Sequence, residues 1–513
     1  MTESISLISQ INLCLNKYLS SFSKDIVDIV INEINTFSIQ KVVFSKTSDI
    51  LDYSDLDNIF SKINEKQDIR KKKGVYYTEE DITDFIVKKC VSIAKKDLFL
   101  FGTVFDPTCG SGEFLLTALR IKDSGNEDIL EKLETLYGND LNKESIYITK
   151  LRLLLYVFNK YGIEKINSIG FILNQNFTCE DFLKYKTSKT FDFIIGNPPY
   201  VEDKEISKYG NIYADILDGV ASLSSNNGVI GFIIPLSYVA TPRMKNIREL
   251  INTVFNTQYI YNFADRPGCL FTQVHQKLTI IIAKKSQKKK TETSNYNYWY
   301  KKDRKNLFLS LSTTSNKNYF SDFIPKIGSA QDSSVFTKIM SQKKELGSLI
   351  LDPKKHNTTN SPKLFLNMRA CFWIKAFLDE HNGNEYKCFY CETSDIRNFF
   401  YCLLNSSIFW WFWICISDCW HITLKEFFYF KIPESFDNNK VSSLATALAC
   451  KLEETKKYIG SKQTDYEYKH KYCIKEIHAI DDYINSLFNL TVEENDYIKN
   501  FALKYRTSGG NQN

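Results

Sequence analysis

VFDPTCGSGEFLLTALR, residues 104–120, is the stretch that decides the fold of this chain. Val104 and Phe105 are strand formers that end in an acid, Asp106. Gly110-x-Gly112 then predicts a tight turn, and the apolar-periodic run after it predicts a helix. Strand, acid, glycine turn and helix together form a ligand-binding geometry. The glycines let backbone approach a bound molecule closely, and Asp106 can take a cation such as an amine. A third glycine is missing from the GxGxxG place, where Leu115 stands, and no Gly-Lys-Ser/Thr ending makes it a phosphate loop. On its own the glycine pair reads equally well as a structural turn.

Working outward, the pattern repeats. TVFD (103–106), TLYGND (135–140), FDFIIGN (191–197), VIGFIIP (229–235), YIYNF (259–263) and LTIIIAK (278–284) are short β-rich runs separated by helix-length segments. That alternation predicts a mainly parallel, doubly wound α/β sheet. Asp140 closes the second run, where a carboxylate can accept from two ribose hydroxyls. Glu180-Asp181-Phe182 follows the next switch from polar to apolar residues. There an acid can accept from an exocyclic amine while a phenyl ring packs on a purine face. Each of these acids alone is an ordinary helix cap. At successive strand ends along one crevice they describe an adenosine carrying a positively charged amino-acid tail.

Asn197-Pro198-Pro199-Tyr200 follows the strand FDFIIG. Two prolines stiffen the backbone and remove two amide donors. Asn197 offers an amide oxygen and Pro198 a carbonyl, which are two acceptors for one NH₂ group. An aromatic exocyclic amine is a poor nucleophile because its lone pair is delocalised into the ring. Two hydrogen bonds from its protons bias the nitrogen toward tetrahedral geometry and localise that pair. Tyr200 supplies a flat stacking face.

DPTCGSG, the later acids and NPPY together resemble the S-adenosylmethionine-dependent amino methyltransferases, and more narrowly the gamma class of DNA adenine-N6 methyltransferases. In that class a GxYYTP-like segment precedes the glycine loop. Here it is Gly74-Val75-Tyr76-Tyr77-Thr78, with Glu79 where proline is usual. The resemblance implies a Rossmann-like methyltransferase sheet over 71–290, preceded by a helical segment (1–70). It is followed by an α+β target-recognition domain with a helical tail (291–513). It assigns Tyr76, Tyr77 and Thr78 to the methionine end of the cofactor, and Asp106, Pro107, Thr108, Gly110 and Gly112 to its amino group and sulfur region. Asp140 and Leu141 would serve the ribose, and Asp181, Phe182 and Ile216 the adenine. Asn197, Pro198, Pro199 and Tyr200 would form the catalytic segment, with Phe271 on the flipped base opposite Tyr200; a core phenylalanine is the rival reading at 271.

The implied reaction is direct methyl transfer from S-adenosylmethionine to N6 of an adenine flipped out of duplex DNA, catalysed by positioning rather than by a strong base. A restriction-modification setting, with or without a separate cognate nuclease, follows from the same resemblance. RNA-base and glutamine-N5 methyltransferases share NPPY but usually lack so large a trailing region. Modification subunits of multi-subunit restriction enzymes usually carry phenylalanine at the Tyr200 position, and cytosine-N4 enzymes more often have serine at the Asn197 position. A non-enzymatic DNA-binding module would have no reason to keep the cofactor acids beside NPPY.

Composition permits this without demanding it. The chain has 513 residues, 43% hydrophobic and 25% charged, which excludes wholesale disorder, and a net charge of +6 only tolerates a polyanion. Thirteen scattered cysteines read as free thiols in a reducing compartment, hence a cytoplasmic protein. The start shows no signal peptide, and IFWWFWICI (408–416) is about half the ~20 residues of a membrane span, so it reads as a buried helix or strand. Cys388 and Cys391 with Cys415, Cys419 and His421 form the only zinc candidate. A strand at 388–391 would point the first two to opposite faces, so no metal is expected. KKSQKKK (284–290) reads as a solvated linker at a domain boundary. Arg369, Lys375, Arg397 and Lys425 read as phosphate contacts or solvated surface rather than base readers. The first 70 residues show no nuclease-like arrangement of paired acids with a lysine.

Overall fold

The computed structural model describes residues 6–63, 77–123, 128–272, 275–318, 320–460 and 466–508. The chain divides into two compact units. The first comprises residues 1–238, 243–261 and 269–292, and the second residues 239–242, 262–268 and 293–513.

The fold is α/β and mostly parallel. In the first unit lie β1 (Val104–Asp106), β2 (Leu136–Asn139), β3 (Phe177–Thr178), β4 (Phe191–Gly196), β5 (Ser224–Pro235) and β7 (Leu278–Lys284), and β6 (Thr257–Phe263) begins there. These strands follow in the order β3-β2-β1-β4-β5-β7-β6. β1 pairs in parallel with β2 and β4, β4 with β5, and β2 with β3, whereas β7 runs antiparallel to β5. The order reverses between β1 and β4, so a doubly wound sheet opens its ligand crevice at their carboxyl ends. All six β-rich runs read from the sequence are strands, because each alternates little and is buried almost throughout. β3 is not legible in the sequence: two residues carry no periodicity.

The N-terminal helices Leu7–Leu19, Lys24–Asn35 and Tyr53–Lys62 belong to this first unit rather than standing apart. Ile11, Leu15 and Leu19 are fully buried, as their spacing predicts. On the second helix Val27, Val30, Ile31 and Ile34 face inward. The lysine-rich 284–290 stretch is not a solvated linker. Lys284 donates to the Ile93 carbonyl at 3.1 Å, Lys285 to the Ser224 carbonyl at 2.6 Å, and Lys290 pairs with Glu292 at 2.6 Å. Backbone carbonyls left over at element ends bind the first two ammonium groups, which sequence periodicity cannot foresee.

The second unit holds a three-stranded antiparallel sheet, Lys375–Phe377, Lys363–Asn367 and Tyr386–Tyr390, and a set of helices. Its core is aromatic. The 408–416 stretch lies in the helix Ser407–Ile416, buried over its whole length, and no single helix among the described residues is long and apolar enough to cross a membrane. Thr491 and Glu494 form a capping box at the start of the tail helix Val492–Asn500. Among the described residues no cluster of His, Cys, Asp and Glu is arranged to hold a metal, and Cys391, Cys415 and Cys419 are buried thiols.

Candidate active site

β1 delivers Asp106 to the crevice almost wholly buried, at 1% exposure. Its Oδ1 accepts from the Thr108 amide at 3.0 Å. Burial pushes the carboxyl pKa well above the ordinary range; the Thr108 hydrogen bond opposes that rise and the nearby Asp140 charge adds to it. The turn that follows needs its glycines. Gly112 has φ +84° and a Cβ there would lie 2.8 Å from Thr149 Cγ2, whereas Gly110 has φ +54° and open space where a Cβ would be. Thr149 Oγ1 donates to the Gly110 carbonyl at 2.8 Å and holds the turn from behind.

Asp140, at the end of β2, grips the same turn: Oδ2 accepts from the Gly110 amide at 2.9 Å and Oδ1 from the Asn142 amide at 2.8 Å. Leu141 beside it is 75% exposed. Asn139 bridges neighbouring strand ends, donating to the Pro107 carbonyl at 3.1 Å and the Glu180 carbonyl at 3.0 Å. Asp181 caps the short turn Phe182–Lys184 by accepting from the Leu183 amide at 3.1 Å. Phe182 is buried, stacked on Tyr185 with ring centroids 5.8 Å apart, and lies close against Gly219, where a Cβ would come within 2.9 Å of its ring. Ile216 is buried on the same helix as Gly219, Ile212–Leu223.

The NPPY segment leaves β4, the strand beside β1, and its amide is held at both ends. Asn197 Nδ2 donates to Thr78 Oγ1 at 3.0 Å. The Tyr200 hydroxyl lies 2.7 Å from Asn197 Oδ1 and 3.0 Å from the Ile233 carbonyl. Thr78 is buried, so this contact is shielded from water. Pro198 is buried and Pro199 half-buried. The Tyr200 and Phe271 rings have centroids 6.4 Å apart and are tilted at 35°, and Phe271 is buried at 2% exposure, which is how a core phenylalanine sits. Gly196, between β4 and this segment, must be glycine because a Cβ would stand 2.8 Å from Asp106 Oδ1. Gly196 is therefore where β4 packs closely against Asp106.

Tyr77 is half-buried and its hydroxyl pKa is pushed up to about 12, chiefly by burial and then by the Glu113 charge. Tyr76 lies outside the described residues.

Sequence reasoning missed the group that supports the loop. Arg152, with 3% of its side chain exposed, donates from Nη1 to the Ser111 carbonyl at 2.8 Å and to Glu113 Oε1 at 2.6 Å, and from Nε to Asp57 Oδ1 at 2.7 Å. Ser111 Oγ in turn donates to the Ser61 carbonyl at 3.2 Å. Asp57 and Ser61 lie on the N-terminal helix Tyr53–Lys62, so that segment braces the glycine loop. A lone arginine amid the apolar helix Lys143–Tyr161 carried the only signal.

These residues suit a ligand of the expected class. A buried carboxylate with a raised pKa sits where a cationic amine would stabilise it, an open backbone face lies at Gly110, and Thr108 Oγ1 is buried with no hydrogen-bond partner among the described residues.

Comparison with known proteins places this geometry in context. Residues 134–268 match the family model Eco57I restriction-modification methylase, a segment holding Asp140, Asp181 and the NPPY tetrapeptide but about a quarter of the chain. The chain is 30% identical over 214 residues to the Type II methyltransferase M.BstVI of Geobacillus stearothermophilus, covering 36% of this chain and 38% of that one. It is 28% identical over 254 residues to the Type II methyltransferase M.BanIII of Aneurinibacillus aneurinilyticus, covering 45% and 42%. The matched region thus spans about two fifths of these relatives' length. In fold, the chain is similar to the Type IIL restriction-modification enzyme MmeI in complex with DNA, with TM-score 0.50 and 11% identity over 97% of this chain and 89% of that one. The chain thus shares its fold with a restriction-modification enzyme of known structure, and the segment matched by the family model holds Asp140, Asp181 and the NPPY tetrapeptide but not Asp106 or the glycine turn.

Proposed function

We propose that this chain is a site-specific DNA methyltransferase that moves the methyl group of S-adenosylmethionine to N6 of a flipped adenine. It would act in a restriction-modification or orphan modification system, in the cytoplasm on nucleoid DNA, with or without a separate nuclease as its counterpart. The observation that carries the reading is the clamped amide of Asn197 at the end of β4, beside the buried carboxylate of Asp106.

The cofactor, when bound, supplies a methyl group activated by a sulfonium. The chain's residues do the rest. Asp106 receives the ammonium end, and Thr108 and the Gly110 backbone lie within the same pocket wall. Asp140 and Asp181 each have a carboxylate at a strand end for ribose and adenine. Asn197 Oδ1 and the Pro198 carbonyl accept hydrogen bonds from the two N–H groups of the substrate amine, which localises its lone pair. Thr78 and Tyr200 keep the amide pointed. Tyr200 provides the aromatic face on which a planar base stacks, and stacking of ~1–3 kcal/mol per base offsets part of the cost of flipping, while the buried Phe271 ring packs beside Tyr200. Preorganised acceptors in a water-poor pocket stabilise charge without reorganising, which is where the rate enhancement comes from.

The relatives named as Type II methyltransferases support methyl transfer, and the DNA complex of a restriction-modification enzyme of this fold supports DNA as the substrate. The test is to incubate purified protein with labelled cofactor and DNA, digest, and identify the product. N6-methyladenine in one short motif is the expected result. Label in ribosomal RNA or a release factor, or as modified cytosine, would overturn it. Transfer that appears only when a separate recognition chain is added would assign the protein as a modification subunit.

A further inference from the structure

Arg369, Lys375, Arg397 and Lys425 are the basic side chains with a claim on a polyanion, and the fold separates them. Lys425 is committed inside the protein: its ammonium donates to the Ala240 carbonyl at 2.7 Å and the Ile416 carbonyl at 2.8 Å, capping the helix Ser407–Ile416. Lys375 is half-buried, and burial lowers its pKa. The Arg397 guanidinium is held on Asn398 Oδ1 at 3.0 and 3.3 Å. Of the four, only Arg369 is exposed with no ion pair among the described residues, and it lies over the Trp420 ring, 4.9 Å from its centroid.

The backbone beneath it is pinned by hydrogen bonds. Arg369 and His421 form an antiparallel bridge, the Ile422 amide donates to the Met368 carbonyl at 2.7 Å, and the Ala370 amide donates to the Trp420 carbonyl at 3.2 Å. Asp418 Oδ1 accepts from both the Trp420 and His421 amides, at 2.9 and 3.3 Å. Two buried indoles of the helix Ser407–Ile416 fix the ribbon from below. Trp410 Nε1 donates to the Cys371 carbonyl at 3.0 Å, and Trp413 Nε1 to the His421 carbonyl at 3.1 Å. The aromatic run therefore serves as the footing of a short ribbon, two segments joined by the single Arg369–His421 bridge, that displays Arg369, Trp420 and the exposed His421.

Resting on the reading above, we propose that this ribbon reads base edges of duplex DNA, with Arg369 donating to the N7 and O6 acceptors of a guanine in the recognition sequence. The guanidinium fork matches that acceptor pair in a way an ammonium does not. A phosphate contact needs only a flexible cation. A guanidinium resting over an indole has less rotamer freedom to lose when it meets a planar, two-point acceptor.

The experiment uses the full chain and a pool of random duplexes. Sites are mapped twice, by methylation and by binding selection without turnover. In the wild type both should return one motif containing a guanine. In Arg369→Ala, and in Arg369→Lys, preference for guanine at one position should fall roughly 10- to 100-fold, with the rest of the motif kept. Trp420→Ala should weaken the same position less. Arg369 is exposed, so thermal unfolding should not move. An unaltered motif in Arg369→Ala overturns the proposal. So does a uniform loss of binding over all sequences with a shallower salt dependence, which marks a phosphate contact. A wild type that selects a motif but transfers no methyl group would sink the methylation reading and leave the ribbon standing.

Discussion

Asp106→Asn separates what the buried carboxylate does for a ligand from what it costs the protein alone. The side chain is 1% exposed and its pKa stands well above the ordinary carboxylate range, with burial the main cause. Asparagine keeps the shape and the acceptor for the Thr108 amide but removes the charge. Below the ordinary carboxylate pKa the folded and unfolded chains both hold the proton, so the acid costs nothing. As pH rises toward and through the raised folded value, the unfolded chain ionises more readily and the folded state loses stability. Every tenfold difference in proton affinity between the two states corresponds to about 1.4 kcal/mol. Without cofactor, Asp106→Asn should therefore melt higher than wild type at pH 8, by roughly 2–4 °C for each kcal/mol recovered, and the gap should narrow toward pH 4. Cofactor affinity should move the other way. Losing a charge-assisted hydrogen bond of ~1.5–3 kcal/mol weakens binding about 10- to 150-fold. Calorimetric titration with S-adenosylmethionine and scanning calorimetry at the two pH values are the assays. A variant that is folded but binds as tightly as wild type, or whose stability relative to wild type does not change with pH, would refute the reasoning.

The other predictions concern the amide clamp. Asn197→Ala should remove most turnover while cofactor affinity stays within a few-fold, read by single-turnover transfer beside titration; parallel collapse of both would make Asn197 a cofactor ligand. Thr78→Val removes the oxygen that accepts from Asn197 Nδ2 at 3.0 Å, a contact worth ~0.5–1.5 kcal/mol, so kcat should drop about 3- to 10-fold with Thr78→Ser close to wild type. Weaker cofactor binding with unchanged kcat would instead return Thr78 to the methionine end. Tyr200→Phe should lose several-fold in rate, because its hydroxyl touches Asn197, and Tyr200→Ala considerably more because the ring goes too; equal losses would deny the ring a stacking role.

What the sequence alone determined is local and periodic. Six strands, the glycine turn after Asp106, the acids at strand ends and the stiff NPPY segment are legible because β-rich runs, glycine and proline each act on their own few residues. A doubly wound sheet follows from them, since parallel neighbours require crossover helices. Only the tertiary structure decided what lies side by side. It brought Thr78 to Asn197 across 119 positions, and Arg152 to Ser111, Glu113 and Asp57. It gave Lys425, Lys284, Lys285 and Lys290 partners within the protein and left Arg369 over Trp420. Long-range polar contacts carry no period, and a lysine reads the same whether it meets water or the last carbonyls of a helix. Which it meets depends on where packing leaves backbone groups without partners, and that is set by the whole fold rather than by any stretch of it.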